Sequence, residues 1–151
     1  MKSRNKFFLR TVSDMDRVVK AALSVVETKR GAPLVLALSG DLGSGKTEFA
    51  RRFLRALGAG GVSSPTFVLM REHELRHPFY KKAYHVDVYR LDRPEEILRL
   101  GLDRIMRLKG SVTIIEWADR ISKHMPAGVV KIRFRHGRRQ GERSAIILKL
   151  P

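Results

Sequence analysis

The sequence predicts an α/β fold: one domain over residues 1–151, with a mostly parallel central sheet, added antiparallel strands and flanking helices. Two short apolar runs, 34–38 and 112–115, are typical of strands that are buried on both faces of a parallel sheet. A glycine-rich stretch joins the first of these runs to a helical pattern. The chain is long enough for one core, and no linker divides it.

The elements that precede the glycine-rich stretch follow from their periodicity. Residues 7–12 predict a strand. Ser13 is the expected N-cap of a helix, because acidic residues fill the next turn and apolar residues then recur at helical spacing. Basic residues followed by Gly31 are typical of the end of such a helix.

The glycine-rich stretch is the most specific motif in the chain. Residues 40–47 fit the pattern G-x-x-x-x-G-K-[ST], between the strand 34–38 and a predicted helix over 46–57. The glycines allow backbone N–H groups to point at phosphate oxygens, and the helix N-terminus adds a positive dipole. The fold is therefore predicted to be P-loop NTPase-like. The expected nucleotide-binding residues of this loop are Asp41, Leu42, Gly43, Ser44, Gly45, Lys46 and Thr47.

Two side chains of this loop have predicted roles. Lys46 is expected to reach the β- and γ-phosphates of ATP, and the Thr47 hydroxyl is expected to bind Mg²⁺. ATP or ADP with Mg²⁺ is therefore the predicted cofactor. The chain has no Asn-Lys-x-Asp segment to recognise guanine, which favours ATP over GTP.

The rest of the chain predicts two hairpins around the second buried strand. The predicted elements are strands 67–75 and 79–91, short helices over 94–100 and 102–108, the strand 112–115, a short helix over 121–125, and strands 129–134 and 144–150. Charged and apolar residues alternate over 131–135, so one face of that strand is expected to be basic while the other packs inward.

Acidic residues near the ends of two strands are candidates for chemistry. Glu116 ends the second buried strand, where a carboxylate can assist a metal at the carboxyl edge of the sheet. Trp117 follows it, and the residues alone allow a place over the nucleotide or in the core. Asp87 shares a strand face with His85 and Tyr89, and a carboxylate there can orient or deprotonate water. The alternation alone favours an ordinary exposed strand face.

These segments together resemble the TsaE family, formerly called YjeE, of small bacterial ATPases for the threonylcarbamoyladenosine modification of tRNA. The resemblance covers nearly the whole chain. It rests on residues 39–47, 62–67, 85–90, 95–101 and 115–117, which keep the order and spacing of the family.

The resemblance implies roles for individual residues. Lys46 and Thr47 would bind phosphates and Mg²⁺, and Glu116 would assist the metal. Asp87 would position or deprotonate the attacking water. Thr66 would belong to a switch-like segment near the γ-phosphate, whereas its sequence surroundings alone equally suit a polar turn.

The resemblance also implies partners. The family acts with the TsaB–TsaD heterodimer, whose TsaD subunit transfers threonylcarbamoyl to adenosine 37 of tRNA, and ATP hydrolysis would reset that complex between turnovers. One residue departs from the family pattern: Glu48 stands where a second Thr is usual. An anion is unwelcome near phosphates, so Glu48 is expected to turn to solvent or to pair with Arg51 or Arg52.

The charge of the chain is the second large signal. Its formal net charge is +16 with a pI near 11.1, which favours contact with a polyanion such as tRNA. The cations concentrate in the last hairpin, at Lys131, Arg133, Arg135, Arg138, Arg139 and Arg143. No base-reading motif accompanies them, so a solvated basic surface is the alternative.

Cysteine content and apolar runs indicate where the protein is located, and two other functions are considered beside the ATPase. There is no cysteine, no apolar run near 18 residues and no signal-peptide pattern, so we expect a cytoplasmic protein without membrane contact. Two rivals to the ATPase remain open. One is a small P-loop kinase, which needs a lid and an acceptor pocket. The other is a basic RNA-binding module that uses nucleotide only as a structural ligand.

Overall fold

The computed structural model describes residues 4–62, 69–89, 91–93 and 95–149. Seven strands form one sheet: β1 (Arg4–Leu9), β2 (Leu34–Ser39), β3 (Met70–Glu74), β4 (Lys82–Asp87), β5 (Ser111–Glu116), β6 (Val130–His136) and β7 (Arg143–Lys149). The helices are α1 (Met15–Lys29), α2 (Lys46–Ala56), α3 (Glu96–Arg99) and α4 (Leu102–Ile105), with 3₁₀ segments at Val12–Asp14 and Ala118–His124. None of these described helices has the length and apolarity needed to span a membrane.

The sheet has a parallel centre and antiparallel edges. Its strand order is β1-β7-β6-β2-β5-β4-β3. Strands β6, β2, β5 and β4 run parallel, whereas β3, β7 and β1 are antiparallel to their neighbours. The predicted fold class is therefore confirmed, and so are the hairpins β3–β4 and β6–β7. Because the parallel strands share a direction, their carboxyl ends meet at one edge of the sheet.

The two faces of the sheet carry separate cores. Along β2, Leu34, Leu36 and Leu38 point to one face, where α1 and α2 pack, while Val35 and Ala37 point to the other. The second face is covered near β2, β5 and β4 by residues of α3, α4 and the second 3₁₀ segment. We call these the α2 face and the α4 face. Burial on both faces explains why β2 is a continuous apolar run.

Three predicted boundaries were wrong at the start of the chain and before β6. The first strand lies at Arg4–Leu9 rather than 7–12, because the Asp14 carboxylate accepts hydrogen bonds from the backbone N–H of Arg10 (2.8 Å) and Thr11 (2.9 Å) and turns the chain there. Ser13 consequently lies inside a 3₁₀ turn and is not the helix N-cap. The predicted helix over 121–125 is a 3₁₀ segment over Ala118–His124, kinked at Ile121.

Candidate functional site

The glycine-rich loop leaves the carboxyl end of β2 and enters α2 with a tightly curled backbone. Gly40 has a φ of 140°, and a Cβ atom on it would lie 2.4 Å from the carbonyl oxygen of Phe134 in β6. Gly45, which caps α2, has a φ of 115°. Both positions require glycine, because an L side chain rarely adopts these angles. The loop can therefore follow this path only with the glycines that the motif contains.

Lys46 is held beneath the loop. Its side chain begins in the first turn of α2, and the residue is only 4% exposed. The Nζ atom donates to the carbonyl oxygens of Gly40 and Asp41, the second at 2.8 Å. It also lies 4.1 Å from the centroid of the Trp117 ring. Burial lowers the pKa of the Lys46 ammonium, and the nearby Glu116 carboxylate opposes that shift.

A buried hydrogen-bonded chain links α2, β5 and β4. Thr47 Oγ1 donates to Glu116 Oε1 at 2.6 Å, and His85 Nε2 lies 2.6 Å from Glu116 Oε2. Glu116 and His85 are each 1% exposed. A buried carboxylate needs such partners, because burying an unpaired charge is costly. The pair of hydroxyl and carboxylate oxygens is a donor set that suits Mg²⁺, which prefers oxygen ligands and usually completes its shell with water and phosphate.

Asp87 lies beside Glu116 at the carboxyl edge of the sheet. The register of the parallel pair β4–β5 sets the two residues opposite one another. Asp87 Oδ1 accepts a hydrogen bond from the backbone N–H of Tyr89 at 2.9 Å. Burial raises the pKa of the Asp87 carboxyl, and the neighbouring Glu116 charge adds to that effect. A carboxylate with a raised pKa is a stronger base, as proton abstraction from water requires.

One cavity of about 500 Å³ brings these side chains together. That volume is in the range of small-molecule sites. It is lined by Leu42, Gly43, Gly45, Lys46, Thr47, Glu48, Asp87, Tyr89, Glu116, Trp117 and Arg143. The predicted phosphate-binding lysine, the metal-binding pair and the acid on β4 therefore face the same space, although they come from three separate elements.

Trp117 forms a wall of this cavity and also packs on the core. Its backbone is left-handed, with a φ of 60°, directly after β5. Its ring lies 4.8 Å from that of Tyr89, centroid to centroid, and it contacts the apolar cluster of the α4 face. The Arg120 guanidinium donates to the carbonyl oxygen of Tyr89 and so holds the segment after β4 in place. Trp117 therefore packs on the core and also lines the cavity, and its contact with a nucleotide stays a prediction.

The other predicted loop residues contribute less through their side chains. Leu42 is 78% exposed, and the Ser44 side chain is fully buried under the loop. Asp41 supplies its carbonyl oxygen to Lys46. The remaining predicted site residue, Thr66, lies outside the described residues, so its role stays a prediction.

Sequence reasoning missed three contacts of the site. His85 shares a strand face with Asp87, but nothing in its local pattern indicates its contact with Glu116. His136 Nε2 lies 2.9 Å from the carbonyl oxygen of Leu42, so β6 contacts the loop directly. Arg143 belongs to the basic last hairpin, as predicted, and it also lines the cavity. Arg143 pairs with His136 and so lies on the α2 face, away from Lys131, Arg133 and Arg135.

Glu48 lines the cavity, and its carboxylate is paired with two arginines of α2. Its carboxylate accepts from Arg51 Nη2 at 2.5 Å and from Arg52 Nε at 2.5 Å, and Arg52 also contacts Asp16 of α1 at 2.6 Å. Burial opposes ionisation of Glu48, but the hydrogen bonds from Arg51 and Arg52 outweigh it and lower the pKa of the carboxyl. The predicted pairing is confirmed.

Replacement of Glu48 by Thr is expected to leave ATP affinity equal or a few-fold higher. The change removes an anion that lines the cavity, and it frees Arg51 to approach bound phosphate. Titration with labelled ATP measures the effect. Glu48→Gln, which keeps the shape without the charge, is the matched control. A clear loss of affinity in the Thr variant alone would show that the contacts with Arg51 and Arg52 shape the site.

Comparisons with known proteins give one consistent family. Over residues 9–145 the chain matches the family described as "Threonylcarbamoyl adenosine biosynthesis protein TsaE". Curated proteins of Rickettsia bellii (strain RML369-C) and Bacillus subtilis (strain 168) are both named "tRNA threonylcarbamoyladenosine biosynthesis protein TsaE". The first is 38% identical over 100 residues, which cover 65% of this chain and 66% of the relative. The second is 38% identical over 118 residues, which cover 78% of this chain and 70% of the relative.

A solved structure agrees with these relatives. The crystal structure of Bacillus subtilis YdiB superposes with a TM-score of 0.71 at 26% identity, over 100% of this chain and 88% of that one. The curated sequence matches are shorter: they span about two thirds of the Rickettsia bellii relative and 70% of the Bacillus subtilis relative.

Proposed function

We propose that this chain, which belongs to the TsaE family, is an Mg²⁺-dependent ATPase that serves the threonylcarbamoyladenosine modification of tRNA. The observation that supports the proposal best is the convergence of Lys46, Thr47, Asp87 and Glu116 on one cavity. Phosphoryl transfer requires a phosphate-binding cation, a metal site and a group that positions the nucleophile. All three have a candidate here.

The first task of the site is to bind the phosphates. The loop between β2 and α2 and the N-terminus of α2 offer backbone N–H groups and a positive dipole. Lys46 adds a cation whose Nζ now rests on the carbonyl oxygens of Gly40 and Asp41. A phosphate oxygen is a stronger acceptor than a neutral carbonyl, so Lys46 would exchange one of these contacts for the nucleotide.

Thr47 and Glu116 are the residues that would hold Mg²⁺. When bound, the ion supplies charge neutralisation and polarisation of the transferred phosphoryl group. His85 is a positioning residue in this arrangement: its contact with Glu116 Oε2 leaves the other carboxylate oxygen turned towards Thr47. His85 thereby fixes the orientation of the carboxylate before any ligand enters.

Asp87 is the residue that would act on water. Its carboxylate is fixed by the Tyr89 N–H, lines the cavity and has a raised pKa. It would orient a water molecule in line with the γ-phosphorus and take up its proton as the new P–O bond forms and the bond to ADP breaks. The products are ADP and phosphate.

Glu116→Gln is expected to raise the Mg²⁺ concentration needed for half-maximal phosphate release by about tenfold or more. The amide keeps the volume of the carboxylate but removes the charge that would face the ion. Raised Mg²⁺ should therefore restore part of the activity. Asp87→Asn serves as the control, because its defect should not respond to Mg²⁺. Equal insensitivity of both variants to Mg²⁺ would remove Glu116 from the metal site.

We further propose that the ATPase works in the cytoplasm with the TsaB–TsaD heterodimer, as the family resemblance implies. Phosphate release from Mg²⁺-ATP, measured with and without that heterodimer, separates the candidate functions. The proposed ATPase turns over alone or when TsaB–TsaD is added, without any phosphoryl acceptor. A kinase turns over only with an acceptor. An RNA-binding module with a structural nucleotide shows no turnover in either mixture.

A further inference from the structure

One part of the sheet surface is open. In β6 the side chains of Val130, Ile132 and Phe134 are buried, while those of Lys131, Arg133 and Arg135 are exposed. These three cations lie on the α4 face, opposite to the side where α1 and α2 pack. The neighbouring strands β7 and β1 continue the same surface.

The register of β1, β7 and β6 shows which residues lie side by side on this surface. Lys6 of β1 pairs with Ile146 of β7, which pairs with Arg133 of β6. In the next row, Phe8 pairs with Ser144, which pairs with Arg135. Neighbouring strands lie about 4.8 Å apart, so each row is about 10 Å wide. We define the open basic face as Lys6, Phe8, Ser144, Ile146, Leu148, Lys131, Arg133 and Arg135.

The cations of the open basic face are available for a ligand. None of the ion pairs found among the described residues involves Lys6, Lys131, Arg133 or Arg135. Asp119 lines a small groove beside Lys131 and Arg133, and it is the acid in the lining of that groove. Four cations on one face, with Asp119 in the adjoining groove, repel one another unless an anion is bound.

An exposed aromatic ring lies among these cations. Phe8 is 63% exposed, and the Nζ of Lys6 lies 4.8 Å from the centroid of its ring. Ile146 and Leu148 of β7 are half-buried on the same face, so the surface is partly apolar. Exposed aromatic rings on an open sheet, with basic residues around them, are the means by which several folds stack unpaired bases while they bind the phosphate backbone.

We propose that the open basic face binds RNA: the four cations contact the phosphate backbone, and Phe8 stacks beneath an unpaired base. The choice of tRNA as the RNA rests on the proposed function, and the loops of tRNA present unpaired bases. None of the eight residues of the open basic face lines the cavity that contains Lys46, Thr47 and Glu116. RNA binding and ATP binding are therefore separable by mutation.

The test compares two charge-reversed variants of the full chain. Arg133→Glu with Arg135→Glu changes the open basic face, and Arg17→Glu with Lys20→Glu changes the exposed side of α1 by the same charge. Dissociation constants for a tRNA transcript are measured across a salt series. The first variant should bind at least tenfold more weakly at low salt, and its slope of log affinity against log salt should fall by about two. The α1 variant should change little.

Phe8→Ala tests the stacking contact. It should weaken binding to the transcript about tenfold without changing the salt slope, and it should leave binding to a fully paired RNA duplex unchanged.

Unaltered ATP binding by each variant shows that the fold is intact and keeps this proposal separate from the ATPase proposal. Unchanged tRNA binding in the Arg133 and Arg135 variant, or an equal loss in the α1 variant, overturns the proposal. Loss of TsaB–TsaD binding with tRNA binding intact also overturns it, and would make this face a protein-docking surface.

Discussion

Lys46→Ala is expected to lower ATP affinity by about a hundredfold or more. The variant removes the buried cation proposed to bind the phosphates, and loss of a charged hydrogen-bond partner costs about 3 kcal/mol. It also removes the contacts of Nζ with the carbonyl oxygens of Gly40 and Asp41, so the empty loop loses internal support. Equilibrium titration with labelled ATP measures the change.

Arg51→Ala is the matched control for Lys46→Ala. It removes a cation from the same helix, but that cation pairs with Glu48 and is not held beneath the loop. Its ATP affinity should stay within a few-fold of the wild-type value. If Lys46→Ala binds ATP as tightly as the wild-type protein while remaining folded, the cavity is not a phosphate site.

Asp87→Asn is expected to lower kcat by about a hundredfold to ten-thousandfold, with a nearly unchanged dissociation constant for ATP. The amide oxygen can still accept the hydrogen bond that Tyr89 N–H donates to the carboxylate, so the local structure should persist. The variant loses only the carboxylate that we propose acts on water in the transition state. Single-turnover phosphate release, together with ATP titration, separates the two effects.

The opposite outcome for Asp87 is equally clear. A loss of ATP binding that matches the loss of turnover would make Asp87 a structural residue at the end of β4. Retention of full turnover in Asp87→Asn would move the water-positioning role to another residue that lines the cavity.

The local parts of this site were predictable because their signals lie close together in the chain. The loop motif contains glycine at Gly40 and Gly45, where the backbone has a positive φ. The two apolar runs of the sequence predict β2 and β5. Glu116 follows from its place at the end of β5, since carboxyl ends of parallel strands meet at one edge. These inferences need only short windows of sequence.

The rest of the site depends on pairings between distant segments. Asp87 comes to lie opposite Glu116 only because β4 is the neighbour of β5 in register, and no local pattern specifies that neighbour. The same pairing brings His85 to Glu116, a contact that an alternating strand pattern cannot indicate. The position of Arg143 in the cavity lining was missed for a related reason: the register of β7 on β6, rather than composition, decides which face it occupies.

We propose that the cavity lined by the glycine-rich loop, α2 and the ends of β4 and β5 is a site for Mg²⁺ and ATP. Its most direct test is an equilibrium titration of the wild-type protein with labelled ATP, with and without Mg²⁺ and with GTP as a competitor. We predict saturable binding of one ATP per chain, tighter in the presence of Mg²⁺ and displaced more readily by ATP than by GTP. Binding that fails to saturate, or that Mg²⁺ leaves unchanged, would show that the cavity is not a site for Mg²⁺ and ATP.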